Sequence, residues 1–244
     1  MFDHVTIRVS DLETSRRFYE LAFDAIELGE APTAGGGFLE WRDFSIAAAT
    51  DERPVTRRLH VGFVARSRER VEELWRVLTS AGYRSDGDPG LRPQYRPDYY
   101  GAFVLDPDGN SVEAVHHARL RDDGGTIDHL WIRVSSVAVS RRFYKTIGPA
   151  AGFEVGHESE ERVLFRGPVA SFSIVAGEPT EGLHLAFPAR DRAAVGEFHR
   201  LAVAAGYRDN GAPGERPVYH PGYYAAYALD PDGSNVEVVF HDRR

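Results

Sequence analysis

GYRSDGDPGLRPQYRPDYYGAFVLDPDGNSVEAV, residues 82–115, returns as GYRDNGAPGERPVYHPGYYAAYALDPDGSNVEVV, residues 206–239, identical at 21 of 34 positions without a gap. The repeat extends outward. Asp3-His4-Val5-Thr6-Ile7-Arg8-Val9-Ser10 returns as Asp128-His129-Leu130-Trp131-Ile132-Arg133-Val134-Ser135, and Ser15-Arg16-Arg17-Phe18-Tyr19 as Ser140-Arg141-Arg142-Phe143-Tyr144. A period of 124 to 125 residues in a 244-residue chain means a duplicated domain. The copies are placed at residues 1–120 and 126–244, with the charged, Gly-rich 121–125 as linker.

Each copy reads β-α-β-β-β twice over. Val5, Ile7 and Val9 alternate with His4, Thr6 and Arg8, the period of a half-buried strand. A helix follows, with Ser10 and Glu13 at capping-box spacing and Leu12, Ser15, Phe18, Tyr19 and Ala22 on one face. Val71, Leu74, Trp75 and Leu78 mark a second helix, opened by Ser67 and followed by Gly82. Gly206 closes the matching helix of the second copy, whose pattern includes Val195, Phe198, His199 and Leu201. Asp106-Pro107-Asp108-Gly109 and Asp230-Pro231-Asp232-Gly233 read as hairpin turns. Gly35-Gly36-Gly37 precedes no helix pattern and reads as a hairpin loop rather than a phosphate cradle.

Composition narrows the chemistry. Hydrophobic residues make up 42% and charged residues 27%, ordinary for a folded soluble protein. The absence of cysteine excludes disulfides, thiolate metal sites and cysteine nucleophiles, so any metal must be held by His and carboxylate. A net charge of −8 argues against nucleic acid or an anionic membrane as partner. No stretch reads as a secretory signal or membrane span, and the expected location is the cytoplasm.

Among ten histidines, His4 and His60 stand out because each opens a β-α-β-β-β half and recurs, as His129 and His184. Glu113 recurs as Glu237, each facing away from the aliphatic side of its strand, and a buried carboxylate is costly unless paired or bound to a cation. Two His and one Glu make a facial triad for a divalent metal, with positions left open for water or substrate. Within one copy the triads would be His129, His184 and Glu237, and His4, His60 and Glu113. His117 and His241 follow the glutamates by four residues, about 13 Å along a strand, and read as surface residues outside the metal's reach.

These residues, in this order and spacing, resemble the vicinal oxygen chelate superfamily of glyoxalase, bleomycin-resistance and extradiol dioxygenase proteins. The resemblance rests on the opening His strand, the Arg-Arg-Phe-Tyr helix, the Leu-His strand at His60 and His184, and the Asp-Pro-Asp-Gly turn four residues before each glutamate. It implies an α+β fold of two tandem domains, each of paired βαβββ modules forming a cup-shaped incomplete barrel. It further implies a divalent metal, Fe2+ or Mn2+ before Zn2+, Ni2+ or Co2+, that chelates two neighbouring oxygens of a small substrate. Superfamily members also exchange ligands between domains, which leaves a second grouping open: His4 with His184 and Glu237, and His129 with His60 and Glu113. Glyoxalase I carries a fourth ligand at positions that correspond here to Ala47 and Val175, neither able to ligate, so a three-ligand, dioxygenase-like site fits better.

By the same resemblance His220 and Tyr227 would hydrogen-bond metal-bound substrate or oxygen as catalytic residues, where the first copy has Arg96 and Phe103. Arg8 and Arg133 read as substrate-binding or acid-neutralising residues, Trp131 as a stacking surface, and Tyr95, Tyr99, Tyr100, Tyr219, Tyr223 and Tyr224 as a pocket mouth or a seal between domains. The competing function is a metal-free cup that sequesters a ligand, as bleomycin-resistance proteins do. Fusion of two domains fits either a monomer or a homodimer.

Overall fold

The computed structural model describes residues 1–28, 32–35, 37–120 and 123–242. Gly36 and the linker residues Arg121 and Asp122 lie outside them. The described residues form four consecutive βαβββ modules, as expected from the sequence. The first is β1 (His4–Val9), α1 (Leu12–Ala25), β2 (Thr33–Gly35), β3 (Phe38–Trp41) and β4 (Phe44–Ala48). The second is β5 (His60–Val64), α2 (Arg68–Ser80), β6 (Ser85–Leu91), β7 (Tyr100–Leu105) and β8 (Ser111–His116). The third is β9 (Ile127–Val134), α3 (Val137–Ala151), β10 (Glu154–Glu158), β11 (Arg162–Arg166) and β12 (Ser171–Ala176). The fourth is β13 (His184–Pro188), α4 (Arg192–Ala204), β14 (Asp209–Glu215), β15 (Tyr223–Leu229) and β16 (Asn235–His241). No helix among the described residues is long and apolar enough to cross a membrane.

Contacts gather the chain into two compact units: Ile7–Trp131, and Met1–Thr6 with the chain from Ile132 on. These units are offset from the sequence repeat by an exchange of opening strands. In the second unit His4 pairs with Ala186 and Thr6 with His184, so β1 enters antiparallel to β13. In the first, His60 pairs with Trp131 and Gly62 with His129, so β9 enters beside β5. Each unit then repeats one arrangement: β5 runs parallel to β8, and β13 to β16, with β7 and β15 returning antiparallel.

Local chemistry explains the helix limits. α1 is capped by Asp11, whose carboxylate accepts the Thr14 N–H at 2.7 Å, and not by Ser10 as the sequence suggested. Ser10 instead donates its main-chain N–H to Asp108 of the turn, and the aspartate one residue later is the cap. Ser67 caps α2 as expected. On α4 the buried face is Ala194, Val195, Phe198 and Ala202, with His199 and Leu201 at its margin.

The repeated Phe-Tyr and Asp-Pro-Asp-Gly motifs meet in space. Tyr19 donates its hydroxyl to Asp106 at 3.0 Å, and Tyr144 to Asp230 at 2.9 Å, all four residues being buried. Each aspartate also accepts two main-chain N–H groups of its own turn, so one carboxylate pins a helix to the hairpin that ends in the glutamate strand. Around these pins pack Phe18, Phe23, Phe44 and Phe63 in one unit and Phe153, Phe165, Phe172 and Phe187 in the other.

Burial pushes the Asp230 carboxyl up to about 6, against the hydrogen bonds from Ser234 and Tyr144. A carboxyl raised in the folded state contributes stability that is complete below the unfolded value near ~3.9 and lost as pH rises through the folded one. The wild type should therefore lose about 2 kcal/mol relative to Asp230→Asn between pH 4 and pH 7, as read by urea unfolding at both pH values. Tyr144→Phe should cost roughly 1–3 kcal/mol in the same measurement, because it removes a buried donor to that carboxyl.

Candidate metal centres

Strand register assembles both ligand sets. In the unit with β13 and β16, Ala186 lies opposite both His4 and Glu237, and His184 sits two residues before Ala186 on the same face. Three adjacent strands therefore aim His4, His184 and Glu237 at one point. His4 Nε2 lies 3.0 Å from His184 Nε2 and 3.7 Å from Glu237 Oε2, and His184 Nε2 lies 3.0 Å from Glu237 Oε2. The other unit does the same with His60, Glu113 and His129. Their facing atoms are 3.1 Å apart for His60–His129, 3.1 Å for His60–Glu113 and 3.3 Å for His129–Glu113.

All six residues expected as metal ligands are thus brought together, but in the exchanged grouping. The within-copy triads, His129 with His184 and Glu237 and His4 with His60 and Glu113, are not formed. The reason is strand pairing: β1 and β9 each supply their histidine to the unit built largely from the other copy.

The donor set fits a divalent cation. Ligand bonds of about 2.0–2.2 Å at angles between octahedral and tetrahedral separate donor atoms by about 3.0–3.5 Å. The measured edges fall at or close to that span. Glu113 and Glu237 are each 1% exposed, and two imidazole lone pairs about 3 Å apart repel unless a proton or a cation lies between them. Burial would raise both glutamates, yet hydrogen bonds from His129 and His60, and from His184, hold them below the usual carboxylate value. His60 is lowered by burial. His129, although burial opposes it, is pushed up to about 10 by Asp128 and Glu113, so the His60–His129 pair keeps one proton.

A second ring of polar groups orients the first. His4 Nδ1–H donates to Asp3 at 2.9 Å, and His129 Nδ1–H to Asp128 at 3.0 Å, which turns each Nε2 lone pair toward the triad. Both aspartates would rise on burial but are held far below their ordinary value by His241 and His4, and by His117 and His129. Tyr223 donates to Glu237 Oε1 at 2.6 Å and Tyr99 to Glu113 Oε1 at 2.8 Å, leaving Oε2 for the triad. Burial and the adjacent glutamate raise both phenols, so they stay neutral donors.

His117 is buried, and His241 is half-buried. His117 is 6% exposed and lies 3.2 Å from Asp128, while His241 lies 2.9 Å from Asp3. The strand carries them past the triad, as their spacing required, to the outer side of the aspartates. The two aspartates, and the roles of these histidines and of Tyr99 and Tyr223, were not read from the sequence. Their recurrence at the period of the ligands was the available signal.

His220 has both ring nitrogens engaged by the protein, Nδ1 with the Pro221 carbonyl and Nε2 with His241, each at 2.8 Å. Tyr227 lies beside the triad, its ring centroid 6.5 Å from that of His184, with a phenol raised by burial and by Glu237. Its counterpart Phe103 stands 5.7 Å from the His60 ring. Trp131 flanks His60 edge-on at 6.0 Å and Tyr95 at 5.8 Å. Arg96 pairs with Asp98. Arg8 and Arg133 donate main-chain N–H groups to Thr56 and Thr180, and the triads are complete without their side chains. Of the remaining tyrosines, Tyr100 donates to Glu72, Tyr224 lies under Arg192, and Tyr219 packs on Tyr223.

Two glycines make room for the first-unit triad. A Cβ on Gly62 would clash with the edge of the His129 ring, and one on Gly101 would strike Glu113 Oε1. The matching positions of the other unit are Ala186 and Ala225. Gly62→Ala should therefore destabilise the protein by about 1–3 kcal/mol in urea unfolding, as other overpacked interiors do. A cost within error of zero would mean that the His129 ring has another seat.

Comparison with known proteins agrees with the fold. Residues 1–114 match the family described as Glyoxalase/Bleomycin resistance protein/Dioxygenase superfamily. No curated protein matches the chain in sequence. The crystal structure of glyoxalase I from Zea mays superposes with a TM-score of 0.69 at 16% identity, covering 98% of this chain and 92% of that one. A putative dioxygenase from Bacillus subtilis subsp. subtilis str. 168 gives 0.66 at 13% identity, with 99% and 85% covered. At those identities the likeness is one of fold. Residues 1–114 thus belong to the glyoxalase/bleomycin resistance/dioxygenase superfamily, and the second copy repeats their motifs.

Proposed function

We propose that the protein is a divalent-metal-dependent enzyme with two centres, His4–His184–Glu237 and His60–Glu113–His129, acting on a small substrate held through two adjacent oxygens. The observation that carries this reading is the convergence of two Nε2 atoms and one carboxylate oxygen, with one imidazole of each set anchored at Nδ1 by its own aspartate. Fe2+ or Mn2+ suits this nitrogen–oxygen set best, with Zn2+, Ni2+ or Co2+ as alternatives. A bound ion would act as Lewis acid and template for the chelated oxygens. Three ligands per group, without a fourth from Ala47 or Val175, favour dioxygenase-like over glyoxalase I chemistry.

The chain's own residues supply the rest. Asp3 and Asp128 fix the ring tautomers, and Tyr223 and Tyr99 hold the glutamates so that one oxygen faces the ion. Tyr227, kept neutral, is placed to donate a hydrogen bond to a substrate oxygen at the His4 centre, whereas Phe103 offers none at the other. His220 acts there as a positioning residue through His241 and Asp3. Trp131 and Tyr95 give the His60 centre an aromatic wall.

Elemental analysis of protein purified without chelators should find two equivalents of one metal. Pairs of variants test the grouping: His4→Ala with His184→Ala should keep one equivalent, and His4→Ala with His60→Ala none. Loss of both equivalents in the first pair would refute the exchanged sets. Asp3→Asn and Asp128→Asn should each weaken one centre by about 10–100-fold in metal titration. No metal after reconstitution with iron, manganese, zinc and nickel would leave the ligand-sequestering reading in place of the enzyme.

A further inference from the structure

The two triads are copies, but the groups behind their histidines differ in charge. Behind His60, Nδ1 lies 3.2 Å from Ser111 Oγ, and Ser111 donates to the Asp86 carboxylate at 2.8 Å. A hydroxyl whose proton goes to a carboxylate can only accept from His60, so a third acid stands behind this centre besides Glu113 and Asp128. Behind His184 the same places hold Asn235, 2.7 Å from Nδ1, and Asn210, 2.9 Å from Asn235. Neither carries charge.

The aspartate side differs as well. His117 accepts the Arg119 N–H at Nδ1 and lies 3.2 Å from Asp128 at Nε2. On the other side, His220 Nδ1 faces a carbonyl and His241 Nε2 faces a carboxylate. The two remaining ring nitrogens lie 2.8 Å apart. The His60 centre thus has one carboxylate, Asp86, where the His4 centre has the uncharged Asn210.

We infer that the two centres are unequal, the His60–Glu113–His129 centre binding a divalent cation at least about tenfold more tightly than the His4–His184–Glu237 centre, with Asp86 and Asn210 setting much of the difference. The inference rests on the metal reading above and adds a ranking and its cause. A loaded His4 centre is correspondingly the more electropositive, which suits it to hold an anionic chelating substrate beside Tyr227.

Mn2+ titration of His184→Ala, which keeps the His60 centre, and of His60→Ala, which keeps the other, reads the ranking by calorimetry and by the Mn2+ spin-resonance signal. The His184→Ala protein should bind one ion at least about tenfold more tightly. Asp86 and Asn210 are exposed, so exchanging them spares the core. Asp86→Asn added to His184→Ala should weaken binding several-fold, and Asn210→Asp added to His60→Ala should strengthen it. Both effects should shrink as salt rises, which a packing change would not produce. Equal affinities, the reverse order, or exchanges without effect would overturn the inference while leaving the metal reading intact. No Mn2+ bound by the unsubstituted protein would overturn both.

Discussion

A glutamate carboxylate with 1% exposure, set among β-strands, obliges everything around it to supply protons or positive charge. Glu113 and Glu237 each meet that demand with a tyrosine on one oxygen and two imidazoles on the other. The demand then propagates. An imidazole that turns Nε2 inward must place Nδ1–H somewhere, and Asp3 and Asp128 receive it. Those aspartates are themselves largely buried and call in His241 and His117. Three layers of alternating acid and base thus follow from one buried charge per unit.

The repeated sequence motifs divide into those that serve this chain of charges and those that hold the strands beneath it. The Phe-Tyr pair and the Asp-Pro-Asp-Gly turn belong to the second kind: Tyr19 and Tyr144 reach the turn aspartates, far from the triad chemistry but covalently close to the glutamate strands. Fixing the hairpin fixes the height at which Glu113 or Glu237 stands opposite the histidine strand. The close approach of backbone at Gly62 and Gly101 serves the first kind, because the ligands themselves occupy the space of the missing side chains.

Much of this was legible in the sequence. Alternation along β1 and the capped helices gave four βαβββ modules, and recurrence of His4, His60 and Glu113 marked all six residues of the two His–His–Glu clusters. The grouping was not legible, because either pairing of β1 and β9 buries the same aliphatic face, and only the hydrogen-bonded register with β13 or β5 decides which histidine meets which glutamate. His117 and His241 were misread for a related reason. Distance along a strand kept them out of the two His–His–Glu clusters, but it says nothing about a carboxylate on the neighbouring strand. The Asp11 cap was hidden by an adjacent serine with equal claim.

The exchange of opening strands has a consequence for inheritance. Each ligand set takes one histidine from one copy of the duplicated sequence and a histidine and a glutamate from the other. A gene divided in the linker would encode two halves, neither with a full set, and both centres would return only on reassociation of the fragments. The same arrangement ties the histories of the copies together, since a change confined to one of them is felt at both centres.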